Sequence, residues 1–263
     1  MPQTRVVLCI KWGTLYPAFY VNVLHSAVKK HLKGDFRFVC LTNEGDGLHE
    51  DIEVFPLPDL DLPEERYRHG AWPKLAIFAK DLYGLTGRCL FIDLDSAIVG
   101  DLEPLFEHPG VFNAIGDGDG WRRGRDNQVD CTLASGVFSF DFGSEPQVLD
   151  NFMADKQAAY DAFINEQQCI EGHISDWAPW PHDWVISFKR HLRRPLVVDR
   201  FLPPLDPPKD TKIVAFHGNP RPIEVVRNAN QSWGKFPHYG RGPVGWMRDY
   251  FIEHGYSDDM DLR

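Results

Sequence analysis

The sequence has no run of about 18 apolar residues, the least that a membrane-crossing helix needs, so no transmembrane segment is expected. Its first apolar stretch, Val6 to Ile10, gives way at once to Lys11. That is shorter than the roughly 7–15 residue core of a secretory signal, and a cytoplasmic protein is the expectation. Cysteine is sparse: Cys9, Cys40, Cys89, Cys131 and Cys169, with no C-x-x-C pair. An odd, scattered set argues against a disulfide framework or a zinc site. Cys9, Cys40 and Cys89 lie in apolar runs and read as small buried thiols. Positive charge is in deficit, with 28 Lys and Arg against 38 Asp and Glu and a net charge of −10. A broad basic surface for nucleic acid is thereby excluded. An acidic chain that takes an anionic ligand needs a local reversal of field, and a divalent cation held by carboxylates supplies one. There is no internal repeat, low-complexity tract or clear linker.

What is present is an ordinary globular composition, 43% hydrophobic and 25% charged over 263 residues, enough for one large domain. The first half alternates strand and helix patterns. Residues 5–10 read as a buried strand. Residues 17–32 form a helix, with Phe19, Val23, Leu24, Ala27, Val28 and Leu32 at helical spacing, Pro17 in its first turn and Gly34 beyond its end. Residues 36–41 and 52–57 are further strands. A second helix is expected over 71–85, with Leu75, Phe78, Ala79 and Leu82 on one face. Residues 88–92 are a fourth strand. This order predicts a mostly parallel sheet with right-handed crossovers. Later, 111–115, 133–140 and 212–216 read as strands, and 145–171 as helical, in one piece or two.

The fourth strand runs directly into Asp93-Leu94-Asp95. In extended backbone the two carboxylates point the same way, and strand carboxyl ends are where open α/β sheets bind ligands. Such a pair suits magnesium or manganese, which prefer oxygen ligands and leave positions open for substrate phosphates. A bare pair of solvated acids is the alternative, but two acids after an apolar strand are costly without a partner. His217, after a late strand, is a candidate third ligand, or a simple turn histidine.

The run Phe91-Ile-Asp93-Leu-Asp95-Ser-Ala-Ile-Val99-Gly-Asp-Leu-Glu103-Pro-Leu-Phe106 resembles glycosyltransferase family 8 and its GT-A-fold relatives. The resemblance continues in order from about residue 5 to 222. Leu15-Tyr16 falls where the family places a uracil-stacking tyrosine, and Lys74 where it has an arginine near the donor sugar and phosphate. Ala134-Ser135-Gly136-Val137 is similar to its sugar-pocket strand, and Glu166-Gln167 to an Asp-Gln pair beside the reacting sugar. His217-Gly218-Asn219-Pro220-Arg221-Pro222 resembles a segment that supplies the third metal ligand and a diphosphate-binding lysine. The sequence departs from the family at Gly13, where an aspartate is usual, at Ala134, where an asparagine is usual, and at Arg221, which replaces that lysine in a shortened motif.

The resemblance implies an α/β GT-A-like (Rossmann-related) fold: a mostly parallel sheet flanked by helices with an irregular C-terminal section. It implies one domain over 1–263, with a nucleotide-binding half (1–110) and an acceptor-side half (111–263). The implied activity is metal-dependent transfer of a hexose from a nucleotide-diphosphate sugar, a UDP-sugar favoured, to a glycan or other hydroxyl acceptor with retention. Asp93, Asp95, Glu166 and Gln167 are the candidate catalytic residues. Asp93, Asp95 and His217 are candidate ligands for Mn2+ or Mg2+. Lys11, Trp12, Gly13, Tyr16, Lys74, Ser135, Gly136, Gly218 and Arg221 are candidates for donor binding; Gly13 admits close backbone approach, Tyr16 offers a flat face and Arg221 a bidentate fork.

Other readings stay open. A haloacid-dehalogenase-type phosphatase also places a D-x-D run after an apolar strand, and a carbohydrate-binding protein can keep the fold without transfer. The loop from Asp117 to Asn127, with a second D-x-D at Asp117 and Asp119, reads as a lid or a plain surface loop. Trp177, Trp180 and Trp184 read as acceptor contacts or core. Trp233, Phe236, Tyr239 and Trp246 with Lys235, Arg241 and Arg248 read first as packing residues, with peripheral membrane contact as the alternative. Oligomeric state is left open.

Overall fold

The structure, a computed structural model, describes residues 3–116, 132–227, 233, 240 and 242–258. Its centre is a seven-stranded sheet in the order β3-β2-β1-β4-β7-β6-β8. The strands are β1 Arg5–Lys11, β2 Arg37–Thr42, β3 Glu53–Phe55, β4 Arg88–Ile92, β6 Phe112–Gly116, β7 Leu133–Asp141 and β8 Ala178–Pro179. From β3 to β4 the strands are parallel; β7 runs antiparallel to both β4 and β6, and β8 is parallel to β6. The sheet is therefore mixed and mostly parallel, as the βαβ pattern implied. β1 and β4 are nearly unbroken apolar runs because helices and loops cover both faces. Cys9, Cys40 and Cys89 are buried free thiols, as expected.

A second, three-stranded sheet lies outside the sequence reading: β5 Ser96–Ile98, β9 Val185–Ser187 and β10 Ile213–Ala215 in the order β5-β10-β9. One face of the large sheet packs on helix α1 (Ala18–His31), on this small sheet and on helix α8 (Gly245–Glu253). The other packs on the Trp72–Phe78 turn and on α4 (Gln147–Ala154) and α6 (Glu166–His173). There Phe78, Phe91, Phe112, Phe138 and Phe140 form one stack, with rings 4.8–6.2 Å apart.

Several expectations need correction. The helix over 71–85 is only a 3-10 turn, Trp72–Phe78. It opens after Ala71 in a left-handed conformation (φ 49°) and stops at Ala79, whose ψ of 135° is extended. The Asp81 side chain accepts from Gly84 N at 2.8 Å, a local turn bond that competes with helix. Tyr83 and Gly84 then sit at φ 56° and 69°. The region 145–171 holds three helices: α4, α5 (Lys156–Ala162) and α6. Asp155 and Asn165 restart the helix by accepting from Ala158 N and Gln168 N at 2.9 and 3.0 Å, the N-cap device. Within the irregular C-terminal section two helices are described, α7 (Pro222–Val226) and α8.

Trp180 and Trp233 are buried, Trp184 and Trp246 pack against the core, and Arg248 pairs with Asp258 at 2.7 Å. These contacts fit the packing reading. Lys235, Phe236, Tyr239, Arg241, Cys131 and the loop with Asp117 and Asp119 lie outside the described residues. Among the described residues no helix is long and apolar enough to cross a membrane.

Candidate active site

β1 and β4 lie side by side and parallel, and Tyr16, beyond β1, reaches Asp95, beyond β4, so the candidate residues gather at the carboxyl ends of the parallel strands. This is where open α/β sheets take ligands. Asp93 and Asp95 follow β4 and occupy the turn into β5. Two backbone bonds lock that turn: Asp93 N donates to Gly136 O on β7, and Phe216 N donates to Asp95 O, both at 2.9 Å. The second of these places His217 one residue beyond the turn's own anchor.

Lys74 is the charge centre. It lies on the Trp72–Phe78 turn, is almost wholly buried, and donates to Asp93 Oδ2 at 2.8 Å and to Ser135 O at 3.0 Å. Its ammonium is also 3.3 Å from Glu166 Oε1. Burial pulls its pKa down, but Asp93 and Glu166 outweigh that and hold the ammonium above its ordinary range. With three acceptors in reach, Lys74 ties the two acids together. Glu166 is buried at the start of α6 and also accepts from Ser135 Oγ at 2.7 Å. Gln167 accepts from Ser135 N at 3.3 Å. A Cβ added at Gly136 would stand 3.7 Å from Asp93 Oδ2, so the strand passes close to the acid. Asp93, Lys74, Ser135, Gly136, Glu166 and Gln167, distant in sequence, are thus one constellation.

Asp95 has less help. Burial and the neighbouring Asp93 charge push its carboxyl up to about 7, offset only in part by Lys74 and by the Tyr16 hydroxyl. That hydroxyl donates to Asp95 Oδ2 at 3.4 Å. Asp93 is raised as well, first by burial, with Lys74 opposing and Glu166 adding. Two crowded carboxylates with one lysine between them lack positive charge. A hard divalent cation satisfies that need, so the donor set fits one.

The third expected ligand is not gathered in. Among the described residues no three His, Cys, Asp or Glu side chains cluster as a metal cage. His217 lies exposed, its Nε2 2.6 Å from Ser187 Oγ, and Lys189 Nζ donates to its carbonyl. A magnesium or manganese site with one or two carboxylates and substrate phosphates is the usual arrangement for these ions. Ser187 and Lys189 were not anticipated. Ser187 ends a three-residue strand and Lys189 follows it, with no motif around them.

The remaining candidates ring the site more loosely. Tyr16 meets Tyr20 edge-on at 5.0 Å. Lys11 pairs with Glu44 at 3.1 Å, and Trp12 Nε1 donates to Tyr67 O at 2.9 Å. Gly13 is exposed at φ 60°, with open space where a Cβ would stand. Gly218, at φ 69°, would bring a Cβ to 3.4 Å from Lys189 Nζ. Arg221 caps α7 and lies 3.3 Å from Glu224. Its positive charge is felt at both Tyr16 and Tyr20.

No protein-family profile matches the chain, and no curated protein matches it by sequence. Solved structures match along almost all of it. The galactosyltransferase LgtC, solved with donor and acceptor sugar analogues, superposes with a TM-score of 0.59 over 98% of both chains at 11% identity. The glycosyltransferase GlyE of Streptococcus pneumoniae TIGR4 gives 0.58 at 12% identity, over 97% of this chain and 62% of that one. The bifunctional glycosyltransferase WbbM gives 0.58 at 14% identity, over 98% of this chain and 50% of that one. The fold is that of the GT-A glycosyltransferases, as the resemblance implied.

Proposed function

We propose that this chain is a metal-dependent glycosyltransferase that moves a hexose from a nucleotide-diphosphate sugar, a UDP-sugar by preference, to a hydroxyl on a glycan or other acceptor, with retention. The single observation that carries the proposal is the under-neutralised Asp93–Asp95 pair at the carboxyl end of β4, with Asp95 pushed up to about 7. Asp93, Asp95 and, once released from Ser187, His217 would hold Mn2+ or Mg2+. The ion would bind diphosphate oxygens and neutralise charge on the departing nucleotide.

The protein's own groups do the rest. Lys74 fixes Asp93 and Glu166 in one orientation, which removes a reorganisation cost at the moment of reaction. Ser135 and Gly136 lie on the strand beside the acids, and the absence of a side chain at Gly136 keeps that strand close to Asp93. Gln167 anchors that strand through Ser135 N. Arg221, at the start of α7 and paired with Glu224 through Nη2, would turn its remaining donors to phosphate. Tyr16 presents both a ring for the base and a hydroxyl to Asp95.

The phosphatase reading gains no support from the fold likeness, which is to glycosyltransferases. A thermal-shift screen of nucleotide-sugars with and without manganese tests the proposal. The expected result is stabilisation by a UDP-sugar that needs manganese and vanishes in Asp93→Ala. Stabilisation by glycans alone, with none by any nucleotide, would instead mark a binding protein.

A further inference from the structure

Between β9 and β10 the chain makes an excursion whose outer turn neither the core nor the candidate site uses. After the turn Phe188–Leu192 it reaches Leu196-Val197-Val198-Asp199-Arg200-Phe201-Leu202. Five of these seven residues are large hydrophobics in solvent, with Val197 69% and Phe201 75% exposed. Elsewhere among the described residues such side chains are exposed singly or in small groups, the normal scatter of a protein surface.

The excursion is built, not loose. Val198 N and Asp199 N both donate to Pro195 O at 3.1 Å, and Leu202 N donates to Val198 O at 3.0 Å. Arg194 Nε donates to Pro203 O at 3.1 Å, and Leu205 N to Leu192 O at 2.8 Å, closing the base. Asp199 turns inward to Arg193, 3.5 Å away, so the acid of the segment is hidden. Val197 holds a φ of 75°, an outlier for a β-branched residue that persists only where the surroundings impose it. Its side chain is thereby displayed at the tip.

We propose that this turn is a membrane-docking tip that seats the protein on an anionic lipid surface. Charge selects that occupant. Residues 188–202 carry Lys189, Arg190, Arg193, Arg194 and Arg200 against Asp199 alone, in a chain whose net charge is −10. An anionic bilayer repels the rest of the molecule and attracts this patch. Shape agrees: aliphatic and aromatic side chains on one tight turn can enter the headgroup region, whereas a stable protein interface wants about 800 Å² of fitted surface per partner. The root of the excursion is also the support of the candidate site, since Ser187 and Lys189 both hold His217.

The test is co-sedimentation of the full chain with vesicles of equal parts phosphatidylcholine and phosphatidylglycerol, and with phosphatidylcholine alone. Binding is expected to the first, weakening with salt, and little to the second. Phe201→Asp should weaken it by roughly tenfold or more, and Arg190→Gln by about fivefold with a shallower salt dependence. Met153→Asp, at an exposed position on α4, should leave it unchanged, and thermal melts should show all three variants folded. Absence of wild-type binding at low salt overturns the proposal, as does binding indifferent to Phe201→Asp. A concentration-dependent dimer that Phe201→Asp dissociates, with vesicle binding absent, would assign the tip to self-association instead. No nucleotide-sugar enters the assay, so its outcome is separable from that of the donor screen.

Discussion

The two ends of the same parallel strands treat charge in opposite ways. At the amino end β1, β2 and β4 each begin with an arginine, and each is answered. Arg5 meets Glu103 through two bonds of 2.7 and 2.8 Å, and Arg37 meets Glu53 through two of 2.6 and 2.8 Å. Arg88 is buried against Gly110 O, Val111 O and Ser139 Oγ at 2.9–3.1 Å. At the carboxyl end Asp93, Asp95 and Glu166 share Lys74, and Asp95 is left with a carboxyl pushed up to about 7. The amino end is electrostatically closed and needs nothing further. The carboxyl end is left short of positive charge, which is where the proposed cation would belong.

Removing an acid from the open end should have the largest effect. Asp95→Asn is expected to lower hexose transfer by roughly a thousandfold, on the scale seen when one preorganised electrostatic group is lost. It should not weaken the fold, because the ionised Asp95 is disfavoured by its own surroundings. Activity assays with parallel melts check this. A variant that keeps transfer but melts early would make Asp95 a structural residue and erase the contrast between the two ends.

Lys74→Met asks the reverse question. It leaves Asp93 and the buried Glu166 uncompensated, and breaking a buried pair from one side costs about 3–5 kcal/mol. Asp93 is 29% exposed, so water recovers part of that and the low end of the range is expected. Urea unfolding measures it. A loss no larger than that of a surface pair would show that the cluster is solvated and that Lys74 does not organise it.

The third effect is a pH dependence. Metal needs the ionised acid, and Asp95 ionises near 7. Its contribution to manganese affinity should therefore rise by about tenfold from roughly pH 6 to pH 8 and level off above. Without metal the sign reverses. The raised value means that Asp95's share of stability is fully present below its unfolded value of 3.8 and is lost as pH rises through about 7. Calorimetric titration and melts across that window, with Asp95→Asn as control, should show the two trends in opposition. Flat affinity across the window would mean that Asp95 is already ionised and neutralised by other means.

Much of the open end was legible in the sequence, because an apolar strand that stops on two acids breaks the pattern that built it. Its partners were less so. Glu166 and Gln167 sit in a polar helix start whose local pattern says only surface, and it took the resemblance to mark them. Lys74 was assigned to the helix before β4, but Asp81 and the left-handed Tyr83 and Gly84 end that helix early. The small sheet escaped notice because strands of three residues, such as Ser96–Ile98, are too short to show a period. With it went Ser187 and Lys189, which hold His217. The α8 helix was hidden by a Gly245 start without a side-chain cap.

The smallest effect belongs to the closed end, and it is what makes the comparison quantitative. Arg37 and Glu53 are each more than a third exposed, although their mutual bonds raise the arginine's pKa and lower the glutamate's. Water already screens such a pair, so its coupling in a double-mutant cycle of Arg37→Met and Glu53→Gln should be only about 0.2–1 kcal/mol. Neither change should alter transfer, since β2 begins at the far side of the sheet from the candidate site. Short bonds at one end and strained acids at the other would then have opposite meanings. The well-formed ion pair would contribute little, and the poorly balanced carboxylates would carry the chemistry. A coupling above about 2 kcal/mol, or a drop in transfer, would mean that the amino end is tuned as well and that charge balance alone does not locate the site.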